Sequence, residues 1–165
     1  MKNENTVEAL NKLLEINNER LAGYESVLRE TDEADIRSLF VQLARTSQKC
    51  REELVSELYS LEGKPVDDTK IKGNFFRASM DIKAALLLRN RKAILRSCEF
   101  SEENTLERYE KVLMDHLGDL SLSQVALINE QSALIRADHN KVRYLLYAMS
   151  RIPDNIDSRL SRAAI

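Results

Sequence analysis

Apolar residues recur at steps of three and four along four long stretches, and each stretch reads as one amphipathic helix. The first runs from about Asn5 or Thr6 to Arg29, with Val7, Leu10, Leu14, Asn17, Leu21, Tyr24 and Leu28 on one stripe. The polar run Thr31-Asp32-Glu33-Ala34-Asp35 breaks it, and Thr31 or Asp32 is placed to cap the next helix. So short a turn folds the second helix back against the first. Its stripe is Ile36, Phe40, Leu43, Ser47, Cys50, Leu54, Leu58 and Leu61, stopped by Gly63 as the residue after the cap and by Pro65. The third, over 92–117, carries Leu95, Cys98, Leu106, Tyr109, Leu113 and Leu117, with Glu102 midway on the same stripe and Gly118 at its end. Asp119 or Ser121 caps the fourth, whose stripe is Val125, Ile128, Gln131 or Ser132, Ile135, His139, Val142, Leu146 and Met149, ended by Pro153.

Residues 63–90 are too long for a hairpin turn. A polar loop, GKPVDDTKIKGN, leads into the apolar-rich FFRASMDIKAALLL, which reads as a short helix. A long crossover between the second and third helices separates ferritin-like bundles from simple up-down ones. The expected architecture is therefore all-α: a ferritin-like four-helix bundle with a helix-containing crossover. One domain is expected over 1–152, and the tail 153–165 reads as a short helix or a disordered end. The crossover offers Phe75, Phe76, Ile82, Leu86, Leu87 and Leu88, more apolar surface than one short helix needs to bury. Phe75, Phe76, Ile82 and Leu86 are the candidate surface of a homodimer.

Composition agrees with the helices: four glycines, two prolines and no tryptophan leave too few turn residues for a sheet protein. A formal net charge of −2 gives no basic field for nucleic acid. No apolar run approaches the ~20 residues that span a bilayer, and MKNENTVEAL lacks the apolar core of a signal peptide, so the expected compartment is the cytoplasm. Cys50 and Cys98 both fall on apolar stripes and read as buried, reduced thiols.

The polar interruptions are the only candidate chemistry. Folding the helices back in pairs puts Asn17, Ser47, Glu102 and Gln131 (or Ser132) at similar heights, with Tyr24, Tyr109 and His139 a turn or two away. One reading is a structural polar layer that fixes helix register. The other is a metal site. A di-iron centre in such a bundle takes a glutamate from each of two helices and a Glu-x-x-His pair from each of the others. Here Leu113 stands three residues before His116 and Arg136 three before His139, so neither pair exists. A single Fe or Mn held irregularly by Glu102 and His139 is the alternative. No nucleophile elbow, phosphate loop, dinucleotide fingerprint, Cys-x-x-Cys or His-Glu-x-x-His motif is present.

Several segments, taken in order, resemble a bacterial family, "domain of unknown function 2383", described as ferritin-like bundles. Leu10, Asn11, Leu13, Leu14 and Glu15, then Glu19 and the pair Gly23-Tyr24, resemble its first helix, with Glu19-Arg20 where the family has Asp-Gly. Glu57-Leu58 through Gly63-Lys64-Pro65 is similar to its Leu…Gly-x-Pro segment, and Gly73 with Phe76-Arg77 to its Gly…His-Arg crossover. Ile94-Leu95, Cys98-Glu99, Ser101-Glu102 and Tyr109 resemble its Ile-Leu…Cys-Glu-Arg-Gly-Glu…Tyr run, and Gln131 and His139 a Gln…His pair. Arg20, Phe76 and Ser101 depart from the pattern. The resemblance implies the ferritin-like fold and little function beyond an association of some relatives with stress responses. The expected function is a non-enzymatic structural or binding bundle without a working di-iron site and without a resident cofactor. A metal-binding oxidoreductase or storage protein is the alternative, and a bundle holding a small apolar ligand a third.

Overall fold

The computed structural model describes residues 2–67 and 73–151. The tail 153–165 and its expected short helix lie outside them, as does the side chain of Phe75. Five helices follow in order: α1 (Lys2–Leu28), α2 (Ala34–Ser60), α3 (Gly73–Leu87), α4 (Arg91–His116) and α5 (Leu122–Ser150). No strand occurs, and no helix is long and apolar enough to cross a membrane, among the described residues.

Cross-helix hydrogen bonds fix the arrangement. Asn18 accepts from Arg51 at 3.0 Å, and Asn3 donates to the Leu61 carbonyl, so α1 and α2 run antiparallel. Tyr109 with Gln131 and Glu99 with Arg143 set α4 antiparallel to α5. Asn5 with Asp119 and Arg20 with Glu102 set α1 antiparallel to α4, while Gln124 with Glu57 and Gln131 with the Cys50 carbonyl set α2 antiparallel to α5. The four long helices thus run up, down, down, up, and α2 and α4 are parallel. The chain must climb the whole bundle between them. It does so through α3, which packs on α4 and α1.

The helix ends show how local chemistry stops each element. Glu33, rather than Thr31 or Asp32, occupies the N-cap of α2 and makes no side-chain cap; the Thr31 hydroxyl accepts from the Glu33 amide instead. Ser121 caps α5 in a full capping box with Gln124. At the end of α2 the Gly63 amide reaches the Leu58 carbonyl at 2.8 Å and the Glu62 amide that of Tyr59 at 3.0 Å, a Schellman motif. The left-handed position belongs to Glu62, at φ 56°, and not to Gly63. Gly63 is required for a different reason: a Cβ there would stand 2.8 Å from a methyl of Val7. Glu62→Gly should therefore stabilise the fold by about 0.5–1 kcal/mol, because glycine sheds the left-handed penalty and loses some of that gain to backbone entropy. A thermal melt would show this as a rise of roughly 1–4 °C.

Two apolar clusters fill the bundle. One gathers Tyr24, Val27, Leu39, Phe40, Leu43, Ile94, Leu95, Cys98 and Val142; the other gathers Leu10, Leu13, Leu14, Leu54, Leu58, Tyr109, Ile128 and Ile135. Ile82 belongs to the first and is only 2% exposed, which corrects its expected place on a dimer surface; Leu86 is partly buried against the same cluster. The outward face of α3 is made instead by Phe76, Met80 and Leu87, with Leu88 just beyond the helix. Residues 76, 80 and 87 share one helical stripe opposite the Ala78–Ile82–Ala85 stripe that meets the core.

Candidate functional site

Between the two clusters the bundle interior is polar. Asn17, Arg20 and Tyr24 stand at i, i+3 and i+7 on α1 and so share its inward face. Glu102 and Tyr109, seven apart on α4, face them. All five side chains are fully buried, as is Gln131 on α5.

Their hydrogen bonds form one chain through the bundle. A single Arg20 nitrogen, Nη2, donates to both Glu102 oxygens, at 2.9 and 2.8 Å, and the Tyr24 hydroxyl donates to Glu102 Oε1. Arg20 Nη1 reaches Asn17 Oδ1 at 3.5 Å. Asn17 Nδ2 donates to Tyr109 Oη and to the Leu13 carbonyl, Tyr109 donates to Gln131 Oε1 at 2.9 Å, and Gln131 Nε2 donates to the Cys50 carbonyl at 3.2 Å. The chain thereby links α1, α4, α5 and α2. Ser47 lies at the same height but turns back on its own helix, donating to the Leu43 carbonyl at 2.9 Å.

The electrostatics follow from burial. Burial works against the Arg20 charge, but Glu102 outweighs it and holds the guanidinium even more firmly protonated than usual. Burial, then the Glu102 charge, pushes the Tyr24 phenol well above its ordinary range, so it remains an O–H donor to the carboxylate. Burial raises the Tyr109 phenol in the same way. Burial pushes the Cys50 thiol up to about 11 and holds the Cys98 thiol well above its ordinary range, so neither is a nucleophile near neutral pH. The cysteines are free and buried.

A second pair sits on the rim of the same α1–α4 contact. Glu19, 4% exposed, accepts from Arg108 Nη1 at 2.8 Å. Neighbouring residues of α1 therefore present opposite charges, each matched by its complement on α4. A shift of α1 along α4 would break both pairs at once. Gly23, next to Tyr24, is buried.

Asp138 and His139 mark where the interior is not fully satisfied. Both are buried, and Asp138 Oδ2, His139 Nε2, Ser101 Oγ and Arg20 Nε have no hydrogen-bond partner among the described residues. Burial raises the Asp138 carboxyl above its usual range and the Glu102 charge adds to the rise, against smaller opposing effects of Thr46, Arg20 and Gln42. A carboxyl whose folded value lies above its unfolded value near ~3.9 supports folding below that pH and loses that support as pH rises through the folded value. Asp138→Asn should therefore raise the melting temperature at pH 7, and paired melts of variant and parent should converge toward pH 4.

Glu102, at the centre of this network, is also the first of the two candidate ligands for Fe or Mn. Glu102 already serves Arg20 and Tyr24, so a metal there would displace a buried cation. No group of three His, Cys, Asp or Glu side chains that could hold a metal ion exists among the described residues. Of the residues singled out in the sequence, the structure brings Asn17, Tyr24, Glu102, Tyr109 and Gln131 into one network. It puts Glu19 on its rim, and it leaves Ser47 bonded locally and His139 outside. Arg20, Arg108 and Asp138 escaped the sequence reading. For Arg20 the signal was available: a glutamate on a buried stripe needs a cation, and residue 20 is three from Asn17 and four from Tyr24.

A family model described as a domain of unknown function (DUF2383) matches residues 5–115. No curated protein and no solved structure matches the chain. The match takes in α1 to α4 almost whole, with both halves of the Arg20–Glu102 pair, and the chain belongs to that family.

Proposed function

We propose that this DUF2383 protein is a ferritin-like bundle in which an arginine takes the place of an interior metal, and that it acts as a structural or binding module rather than as an enzyme. The observation that carries the reading is Glu102: both of its oxygens accept from Arg20 and one also accepts from Tyr24, with all three side chains out of water. Three of the roughly four lone-pair directions of the carboxylate are thus occupied, so a metal or substrate that needs both oxygens would have to break the pair. The up-down-down-up course with its climbing crossover supports the ferritin-like reading. The bundle forms one domain of a bacterial, cytoplasmic protein, and the stress association of the resembled relatives is its first physiological context to test.

The module self-associates as a dimer in this reading. Phe76 and Met80, each 49% exposed, and Leu87, 86% exposed, form an apolar stripe along α3 that the monomer leaves bare.

Metal analysis after expression in Fe- and Mn-supplemented medium tests the central reading. The expected result is no stoichiometric Fe, Mn or Zn and an unmoved melting temperature on adding each. A stoichiometric metal, or a shift that saturates at one or two ions per chain, would overturn it. For the dimer, light scattering after size exclusion should give twice the chain mass, and Met80→Asp should return the monomer.

A further inference from the structure

Between α2 and α5, toward the end of the bundle away from the α4–α5 turn, lies a groove of about 350 Å³. Ile36 and Leu39 of α2, Leu95 of α4, and Leu145, Ala148 and Met149 of α5 line it. Lys141, Leu145 and Met149 stand at i, i+4 and i+8, so they follow one side of α5 over about 12 Å. The groove is a trough along the helix, apolar for most of its length and cationic at one end. None of its residues belongs to the Arg20–Glu102 network.

Its size decides what can lie in it. A volume of about 350 Å³ over ~12 Å of length gives a mean section of roughly 30 Å². A helix with its side chains is about 10–12 Å across and needs roughly 80–110 Å², so a helix of a partner or of a second copy is too thick to be seated there. A single extended hydrocarbon chain is thin enough, and a diacyl lipid brings a second chain that the section does not admit.

Charge decides what the chain carries. The two cations on the rim differ. Arg91 is taken up by Glu33 and Asp35. Lys141 is exposed and has no bonded or ion-paired partner among the described residues. A carboxylate placed beside it gains a charge-assisted hydrogen bond; an uncharged head gains less, and a cationic one is repelled.

We propose that this groove binds one free, medium-length alkyl carboxylate. Its chain lies on Leu39, Leu145 and Met149, and its head meets the Lys141 ammonium. The inference rests on the binding side of the function proposed above and gives it a ligand class. Metal analysis and the titration below read different parts of the bundle, so either can fail alone.

Calorimetric titration of the full chain with decanoate, below its micellar concentration, tests it, with decanol as the uncharged chain. The expected result is one saturable decanoate site per chain. Lys141→Gln should weaken decanoate by about two- to fivefold, the worth of an exposed ion pair, and leave decanol unchanged. Ala148→Trp, whose ring fills the trough, should weaken both by roughly tenfold or more, and its thermal melt reports that the bundle is intact. Absence of saturable decanoate binding would overturn the proposal, whatever else fills the groove. Decanoate affinity equal in the parent and in Ala148→Trp would overturn it as well, since the site then lies elsewhere. So would a Lys141→Gln variant that binds decanoate as tightly as the parent.

Discussion

Arg20→Met is expected to destabilise this protein by about 3–5 kcal/mol, the range for removing one partner of a buried ion pair. The loss is not that of two hydrogen bonds to water-exposed groups. Arg20 and Glu102 are both fully buried, and no other cation is bonded to the carboxylate among the described residues. Methionine fills much of the arginine's volume, so the cavity contribution stays small and the electrostatic one dominates. For a chain of this size the melting temperature should fall by roughly 6–20 °C. Arg108→Met, at the rim pair whose arginine is one-third exposed and whose Glu19 is buried, is the natural comparison and should cost less, about 1–2 kcal/mol. If the two variants lose the same stability, the interior pair has no special standing.

Tyr109→Phe should cost about 1–3 kcal/mol, the expense of leaving a buried polar group unpaired. The hydroxyl accepts from Asn17 and donates to Gln131, and through it the α1 half of the network reaches α5. Asn17 keeps its bond to the Leu13 carbonyl and Gln131 keeps the Cys50 carbonyl, so the damage falls on Gln131 Oε1 above all. The double variant Tyr109→Phe, Gln131→Met should recover part of the loss, because it removes the stranded acceptor as well. Chemical denaturation of the three variants checks both statements. Tyr144→Phe, on the exposed face of α5, should stay within ~0.5 kcal/mol of the parent.

The helices and their antiparallel pairing were legible in the hydrophobic period, because each stripe is long enough for steps of three and four to exclude a strand. The polar layer was legible too, as interruptions of those stripes at Asn17, Glu102 and Gln131. What the period could not resolve was which neighbour of a seam position turns inward. Leu21 and Leu28 fit the α1 stripe by spacing, yet both are half-buried, while Arg20 and Val27 take the interior. A stripe drawn through hydrophobic residues passes over a buried arginine by construction. The same ambiguity hid Asp138 behind His139 on α5. The α3 surface failed for a related reason: a short helix that is apolar nearly all round gives no sign of which side is core, and Ile82 went inward. Glycine is the usual residue just after a helix cap, yet at Gly63 close contact with Val7 sets the position and Glu62 bears the left-handed backbone.

The central claim is that Arg20 and Glu102 are a coupled interior pair, the cation standing where a bundle of this kind could hold a metal. A double-mutant cycle between Arg20→Met and Glu102→Gln, read by equilibrium denaturation at pH 7, tests it most directly. Glutamine keeps an acceptor for Tyr24, so the cycle isolates the charge pairing. Each single variant should lose about 3–5 kcal/mol, and the double variant should be more stable than their sum by roughly 2–3 kcal/mol. Losses that add within ~0.5 kcal/mol would show two independent groups and contradict the account.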